Sequence, residues 1–453
     1  MLFHLFIRME SILKEGNTVG KVFLPKTHID KGTMAQIRTM MAHPAITEPR
    51  IMPDCHKGSG CCIGFTSKLD GKIVPKFVGG DIGCGILTLN VGDLSGKFSL
   101  EELDEIIRTN VKMGSGVDSV WNEPIVKDVD IFEICVDAAY DASNFMENYR
   151  RKFKTNIYQS CPEYGLHWFE NLCQKINIEK SYAMCSLGTL GGGNHYIEIN
   201  QNDETNDYYI TIHSGSRGFG AKVCAYHQSK IDSNNAFNYE GYKLFMKKVN
   251  RICKDSKKLK EISDNYKKEF HQKQHTDYLE SEEAFEYYFD MIFAQKYAQY
   301  NRRKMLRQIL SNLSLSDLYD EDKIIESVHN YIDFSDMIMR KGAVAAYESS
   351  LCIVSLNMRD GILICEGKSN PDWNYSAAHG SGRLLTRQEA NSKISLNDFK
   401  QSMEGVYSSS IVNETIDEAP MTYKDSDMIK EALGNTVTII RQLKPILNVK
   451  ALT

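Results

Sequence analysis

No stretch of this 453-residue chain approaches the roughly 18 to 20 uninterrupted apolar residues that a membrane-spanning helix requires. The apolar start, Met1-Leu-Phe-His-Leu-Phe-Ile-Arg8, is too brief for a signal-peptide core and is broken by His4. A cytosolic (cytoplasmic) protein with no membrane partner is expected. No Cys-x-x-Cys pair occurs, which weakens a structural zinc ribbon, and the twelve cysteines lack the density of a disulfide domain. Most of them should be free thiols. There is no Gly-x-x-x-x-Gly-Lys-Ser/Thr segment, so a nucleotide would have to be held otherwise than by a P-loop. Nor is there an excess of one charge: 54 Lys and Arg stand against 59 Asp and Glu, so any nucleic-acid contact must use a local basic patch. Repeats and low-complexity segments are also missing. With 42% hydrophobic and 25% charged residues, the composition excludes a disordered chain or a coiled coil.

What is present changes texture along the chain. From about Thr18 to Gly92, short apolar runs such as Lys21-Val-Phe-Leu24 and Gly85-Ile-Leu-Thr-Leu-Asn-Val91 alternate with glycine turns, which predicts strands joined by tight loops. From Leu100 to about Ile176 the pattern is more helical, with Glu101, Glu102, Asp104 and Glu105 crowding a first turn. A helical insert is expected at about 222–318. Its aromatic run Phe285-Glu-Tyr-Tyr-Phe-Asp-Met-Ile-Phe293 reads as core rather than as a base-stacking platform, and the basic stretch from Lys247 to Lys273 as a solvated face.

Chemistry-bearing residues gather in a few glycine-rich segments. Met52-Pro-Asp-Cys-His-Lys-Gly-Ser-Gly60 and Gly79-Gly-Asp-Ile-Gly-Cys-Gly85 come first, and the spacing of Asp81 and Cys84 lets both side chains turn toward one point. Alone, such a loop is more often a turn carrying a buried thiol than a metal site. In Gly188-Thr-Leu-Gly-Gly-Gly-Asn-His-Tyr-Ile-Glu198, strand alternation puts Asn194, Tyr196 and Glu198 on one face and His195 on the other. Ile212-His-Ser-Gly-Ser-Arg-Gly-Phe-Gly220 ends in a turn whose amides, with Arg217, suit phosphate. Val328-His-Asn-Tyr331 and Trp373-Asn-Tyr-Ser-Ala-Ala-His-Gly-Ser-Gly-Arg383 complete the set. Each histidine alone is more often a satisfied core residue. Together, Asp81, Cys84, His195, His213 and His329 form a mixed O/S/N donor set for one or two divalent metals, and His379 is left as a nucleophile candidate.

In this order the segments resemble the RtcB family of GTP-dependent RNA ligases, from about Gly20 to Lys450. The resemblance implies a single α+β catalytic domain over residues 1–453 with a deep metal- and nucleotide-binding cleft. It also implies an enzyme that joins RNA ends bearing a 2′,3′-cyclic phosphate or 3′-phosphate to 5′-hydroxyl ends, with GTP and manganese as cofactors, in RNA repair or tRNA splicing. On that reading Cys84 bridges two Mn2+ ions, Asp81 and His195 completing one site and His213 and His329 the other, and His379 becomes guanylylated. Asn194 would hold a phosphate, Tyr196 and Tyr423 would flank the guanine, and Glu198 would read its edge with Lys450 nearby. Gly380, Gly382 and Arg383 would belong to the guanylate pocket. His56, Lys57, Arg217, Arg340 and Lys341 are the residues expected near RNA.

The chain departs from the family pattern at Ser381, where Ala is usual, and at Ser355-Leu-Asn-Met-Arg-Asp-Gly361, where the family often has a Pro-Gly-Ser-Met-Gly-like turn. Cys55, Cys61 and Cys62 are additional thiols, read as buried small hydrophobes. Residues 1–8 precede the resemblance and read as a non-native or an extended start, with Met9 as an alternative first residue. Zinc suits the same donors as manganese. Two other functions use parts of the same residues: a metal-dependent RNA-end phosphodiesterase without ligation, which would not need His379, and a non-catalytic RNA-binding or translation-associated protein.

Overall fold

The computed structural model describes residues 10–155, 159–234, 239–253, 255–272 and 277–452. The expected start at residues 1–8 lies outside the described residues. The N-terminal part contributes β1 (Ser11–Glu15), β2 (Thr18–Val22), helix α1 (Lys31–Met41), β3 (Thr47–His56), β4 (Ile63–Lys68), the short α2 (Pro75–Val78) and β5 (Gly85–Gly92). Helices α3 (Leu100–Asn110), α4 (Asp128–Phe153), α5 (Leu166–Lys175) and α6 (Lys180–Cys185) follow. The acid-rich first turn that the sequence marks is the start of α3, where Ser99 and Glu102 form a reciprocal capping box. The middle of the chain holds β6 (Tyr196–Gln201), β7 (Tyr208–Ser214), α7 (Arg217–Asn234), α8 (Tyr239–Ile252), α9 (Ser256–Gln272) and α10 (Ser281–Asn312). Strands β8 (Ile325–Val328), β9 (Asn330–Asp333), β10 (Ile338–Lys341), β11 (Ala343–Ala345), β12 (Leu351–Ser355), β13 (Ile362–Gly367) and β14 (Ser376–Ala378) come next. Helices α11 (Arg387–Lys393), α12 (Leu396–Ser402) and α13 (Ser426–Leu433) precede β15 (Val437–Val449).

The strands form a six-stranded sheet in the order β1-β2-β3-β4-β10-β9, a seven-stranded sheet in the order β12-β13-β15-β6-β7-β5-β8, and a two-stranded β11-β14 ladder. The architecture is mixed α+β. The edges β12 and β8 of the larger sheet lie side by side, joined by the Ile353 amide donating to Ser327 Oγ at 2.8 Å, so that sheet curls strongly. The chain passes between the two large sheets twice near one point: from β4 through α2 to β5, and from β8 directly to β9. Those crossings carry Asp81 with Cys84, and His329.

The expected insert at 222–318 is helical, but it is not an appendage throughout. Helix α10 runs through the core, with Phe285, Tyr287, Tyr288, Phe289 and Phe293 packed against α4 and the six-stranded sheet side, and Met305, Leu306, Ile309 and Leu310 against β5, β6 and β7. The aromatic stripe is interior, as its spacing predicts. Among the described residues, α8 and α9 form a hairpin that packs on itself through Tyr242, Phe245 and Tyr266. All twelve cysteines are free thiols. Burial pushes the Cys55 thiol up to about 11 and raises those of Cys61 and Cys62, so these three are packing groups rather than reactive thiolates. No described helix is long and apolar enough to cross a membrane.

Candidate metal and nucleotide site

Strand β7 places His213 between Ile86 of β5 and Tyr196 of β6. Cys84 immediately precedes β5, His195 immediately precedes β6, and His329 bridges β8 and β9. Five sequence-predicted residues are thereby brought together. Asp81 Oδ2 is 3.0 Å from His195 Nε2, Cys84 Sγ is 3.4 Å from both His195 Nε2 and His213 Nε2, and His213 Nε2 is 3.3 Å from His329 Nε2. Cys84 sits in the middle of that succession. The donor atoms of Cys84, His195 and His213 all lie within 4.8 Å of one another, and all three residues are buried.

The chemistry of this set fits a divalent metal. Burial, reinforced by the Asp81 carboxylate, raises the Cys84 thiol well above its ordinary range, so only a cation there would make it a thiolate ligand. Burial also holds His213 and His329 well below the usual imidazole range, which keeps them neutral and able to donate a lone pair. Burial works to raise Asp81, but the hydrogen bond to His195 prevails and its carboxyl is held low. His195 Nδ1 donates to the Leu190 carbonyl at 2.9 Å, which orients the ring with Nε2 toward Asp81 and Cys84. Backbone crowding protects the arrangement: a Cβ at Gly215 would stand 2.2 Å from Asp81 Oδ1.

Behind these loops stand two residues that the sequence reading leaves in a helix interior. Asn301 of α10 accepts from the Gly188 and Thr189 amides at 2.8 and 3.2 Å and donates to Thr189 O, Ser214 Oγ and Gly215 O. Arg302, fully buried, donates to Gly83 O at 2.7 Å and Ser214 O at 2.8 Å and pairs with Glu326 at 2.7 Å. They clamp the loops that carry the metal donors. Asn301→Ala would leave several buried backbone groups without partners and should destabilise the chain by about 2–4 kcal/mol in denaturant unfolding.

His379 follows β14, its ring centroid 4.7 Å from that of His329. Its Nδ1 donates to Asp54 Oδ2 at 2.6 Å, from a β3 carboxylate that is fully buried. A carboxylate can only accept, so Nδ1 carries the proton of this bond and Nε2 is the ring nitrogen left for other chemistry. The sequence reading passes over Asp54 although it lies inside a quoted motif. The close approach depends on Gly382, whose φ is +71° and whose added Cβ would meet Asp54 O at 1.9 Å.

The cleft beside His379 is lined by Asn194, Tyr196, Glu198, Ser355, Asn357, Met358, Gly380, Gly382, Arg383, Tyr423, Asn448 and Lys450, together with His56 and His213. The departing Ser355–Gly361 turn therefore still forms a wall, with Ser355 Oγ 2.7 Å from Tyr196 OH. Ser381 Oγ is buried without a partner among the described residues. Glu198 accepts from Asn448 at 2.7 Å and Asn200 at 2.9 Å, and burial raises its carboxyl to about 7 despite those bonds. A second acid, Glu418, was missed: it accepts from Tyr423 OH at 2.7 Å and pairs with Arg383 at 3.1 Å and Lys450 at 3.2 Å. Burial opposes its ionisation, but Lys450 and Arg383 hold it low. Lys450 Nζ also lies 5.5 Å from the centroid of the Tyr196 ring.

Several expected contacts fall elsewhere. Arg340 is fully buried and binds Asp333 and Asp336 at 3.3 and 2.8 Å, and Lys341 is buried with Nζ against Gly79, so neither presents a cation to RNA. Arg217 opens α7, and its guanidinium is directed inward, donating to Thr189 Oγ1 at 3.0 Å and Gly114 O at 3.3 Å. Arg383 lines the cleft with its guanidinium committed to Glu418, Asp417 O and Leu385 O. His56 is held by Asp54 O at 2.9 Å and driven down to about 4 by burial, which makes it a neutral cleft wall. Lys57 remains exposed near the start of α1.

A mixed α+β fold thus sets a buried Cys/His cluster that could hold a metal ion beside a histidine-containing cleft. The family model described as tRNA-splicing ligase RtcB matches residues 36–451, and the chain belongs to the RtcB family. It is 28% identical over 422 residues to the RNA-splicing ligase RtcB of Escherichia coli K12, covering 88% of this chain and 89% of that protein. Identity to the tRNA-splicing ligases RtcB of Archaeoglobus fulgidus and Nanoarchaeum equitans is 26% over 477 residues and 24% over 509. These cover 92% and 97% of this chain, and 91% and 97% of those proteins.

Proposed function

We propose that this protein is an RNA ligase of tRNA splicing or RNA repair. It joins a 2′,3′-cyclic phosphate or 3′-phosphate end to a 5′-hydroxyl end through a histidine–GMP intermediate, with GTP and two Mn2+ ions as cofactors; zinc fits the donor set as well. The observation that carries this reading is the Asp54–His379 pair, set directly beside the Cys84–His213–His329 donors and opening onto the cleft that holds Glu198.

Asp54 keeps the proton on His379 Nδ1, so Nε2 forms the bond to the α-phosphorus of GTP as the bond to the pyrophosphate oxygen breaks. Asp81, Cys84, His195, His213 and His329 would hold the metal, which when bound neutralises phosphate charge. Tyr196 and Tyr423 supply apolar ring surface for the base, and Asn194 at the cleft mouth donates to a phosphate. Glu198, as a carboxylate, accepts from the N1 and N2 donors of guanine, a pattern adenine lacks.

Incubation with α-labelled GTP and Mn2+ should give an acid-labile protein–GMP adduct, with far less from ATP; no adduct with either metal would overturn the assignment. The Glu198 carboxyl adds a pH signature. Its folded value is raised to about 7, so it is protonated below that pH and presents the required carboxylate above it. GTP affinity measured by calorimetry should therefore rise about tenfold from pH 6 to pH 8, and Glu198→Gln should bind weakly without that dependence. The sign for the free protein is opposite: a raised carboxyl stabilises the fold at low pH, and that contribution is lost as pH climbs toward 7.

A further inference from the structure

Of the five residues that the sequence places near RNA, Lys57 alone is an exposed cation: Arg217, Arg340 and Lys341 are turned inward and His56 is neutral. Exposed positive charge without partners gathers instead on α8. Lys247, Lys248 and Arg251 are exposed there, and among the described residues no carboxylate pairs with any of them. Tyr242 and Phe245 face Tyr266 of α9, so the period of the helix puts Lys247 and Arg251 on the opposite side with Lys248 beside them. A solvated face ordinarily mixes both signs, as α9 does, where Glu261 and Asp264 stand one turn from Lys257, Lys260 and Lys268. In the sequence of α8 the only acid is Glu240, two turns before Lys247. Lys247 and Arg251, four residues apart, therefore repel each other with nothing to relieve them, on a chain whose net charge is -5.

The hairpin is also tied to the edge of the cleft. The loop that leaves the cleft wall at His56 runs through Lys57 to Gly60, where an added Cβ would stand 2.9 Å from the Lys76 carbonyl of α2. Lys76 in turn rests on α7, the helix that precedes the hairpin: its amide donates to Gln228 at 3.3 Å and its Nζ lies 3.6 Å from Asp232. On the far side of the hairpin, Leu279 exchanges backbone hydrogen bonds of 3.0 and 2.8 Å with Ile73, just before α2. One short segment, residues 73–78, thus touches the cleft-edge loop and the chain on both sides of the hairpin, and Lys57 and Lys76 are exposed along it.

We propose that the outer face of α8 grips the phosphate backbone of a folded RNA whose broken end lies in the cleft. Lys247, Lys248 and Arg251 are absent from the cleft lining, so the contact is made by the body of the RNA and not by its reacting end. Tyr242, Phe245 and Tyr266 are turned to one another, which leaves this face without a platform for stacked bases. It therefore reads charge and the shape of a helical RNA rather than its sequence. The inference rests on the reading of RNA as the substrate, and it adds where an RNA longer than the cleft is held.

The test compares the full chain with its Lys247→Gln/Lys248→Gln/Arg251→Gln variant, thermal unfolding serving as the control for folding. Fluorescence anisotropy reads binding to a long hairpin RNA and to a short single-stranded oligonucleotide with the same ends. The variant should bind the hairpin RNA about tenfold more weakly at moderate salt, and the slope of log affinity against log salt should fall by about 2 to 3 as three phosphate contacts are lost. Its affinity for the oligonucleotide and its yield of GMP adduct should match wild type, and Lys247→Arg/Lys248→Arg, which keeps the charge, should bind the hairpin RNA normally. Equal affinity of wild type and the glutamine variant for the hairpin RNA overturns the proposal, as does a loss that is the same for both RNAs. So does binding of phosphatidylserine vesicles that needs these residues when binding of RNA does not. A wild type that holds the hairpin RNA through α8 yet forms no GMP adduct upholds this contact and overturns the ligase reading instead.

Discussion

His379→Ala should abolish both the labelled GMP adduct and end joining, while Asp54→Asn should leave a protein that forms the adduct about 10²–10⁴-fold more slowly. The two losses differ because the residues act differently. His379 contributes the Nε2 that forms the bond to phosphorus, and nothing else lining the cleft stands in the same place: His56 is a neutral wall and His213 faces Cys84. Asp54 touches only Nδ1, at 2.6 Å, and acts through the tautomer it selects. An Asn there can accept from Nδ1 only with its amide oxygen, and its NH2 would favour the opposite tautomer when turned inward, so part of the population presents a protonated Nε2. Single-turnover labelling over a pH series reads the distinction: His379→Ala should give no adduct at any pH. Asp54→Asn should give a slower rate with an altered pH profile and near-normal GTP affinity. If His379→Ala still opens a 2′,3′-cyclic phosphate at the wild-type rate and no GTP-dependent joining is found in the wild type, the phosphodiesterase alternative gains what the ligase reading loses.

Residues that touch a ligand were more legible in the sequence than residues that hold them in place. Asp81, Cys84, His195, His213 and His329 announce themselves because a metal donor must be one of a few residue types, set beside glycines that let loops converge. Asp54 carries no such mark. It lies in β3, where Ile51 to Cys55 is buried on both faces, so alternation gives no hint of which way the carboxyl points. Asn301 and Arg302 were hidden for a related reason: they lie in a helix whose apolar residues at three- and four-residue spacing read as a helical insert, and nothing in that pattern singles out two polar residues within it. In the fold they are at 0% exposure, and most of their partners are backbone groups of loops more than 80 residues away in sequence. The misplacement of Arg340 follows the same logic. Proximity to His329 in sequence suggested an RNA contact, whereas the strand turns the side chain inward onto Asp333 and Asp336, residues of the facing strand and turn.

Cys84→Ala should remove both metal ions, a larger effect than loss of any single histidine. In the row Asp81–His195–Cys84–His213–His329, the thiol is the one donor within 3.4 Å of histidines on both sides, so its loss opens both sites at once. His329 stands at the end of the row, next to His213 at 3.3 Å, and His329→Ala should empty only the site it shares with His213. Asp81→Ala should affect the other one. Metal analysis of protein equilibrated with Mn2+ and then gel-filtered should give near two ions per wild-type chain, near none for Cys84→Ala, and near one for each end variant. Full occupancy in Cys84→Ala would mean that the two sites do not share the thiolate. Cys84→Ser sharpens the test: the serine keeps the size of the buried side chain, but a hydroxyl is a far poorer ligand, so loss of metal in a normally stable Ser variant isolates ligation from folding.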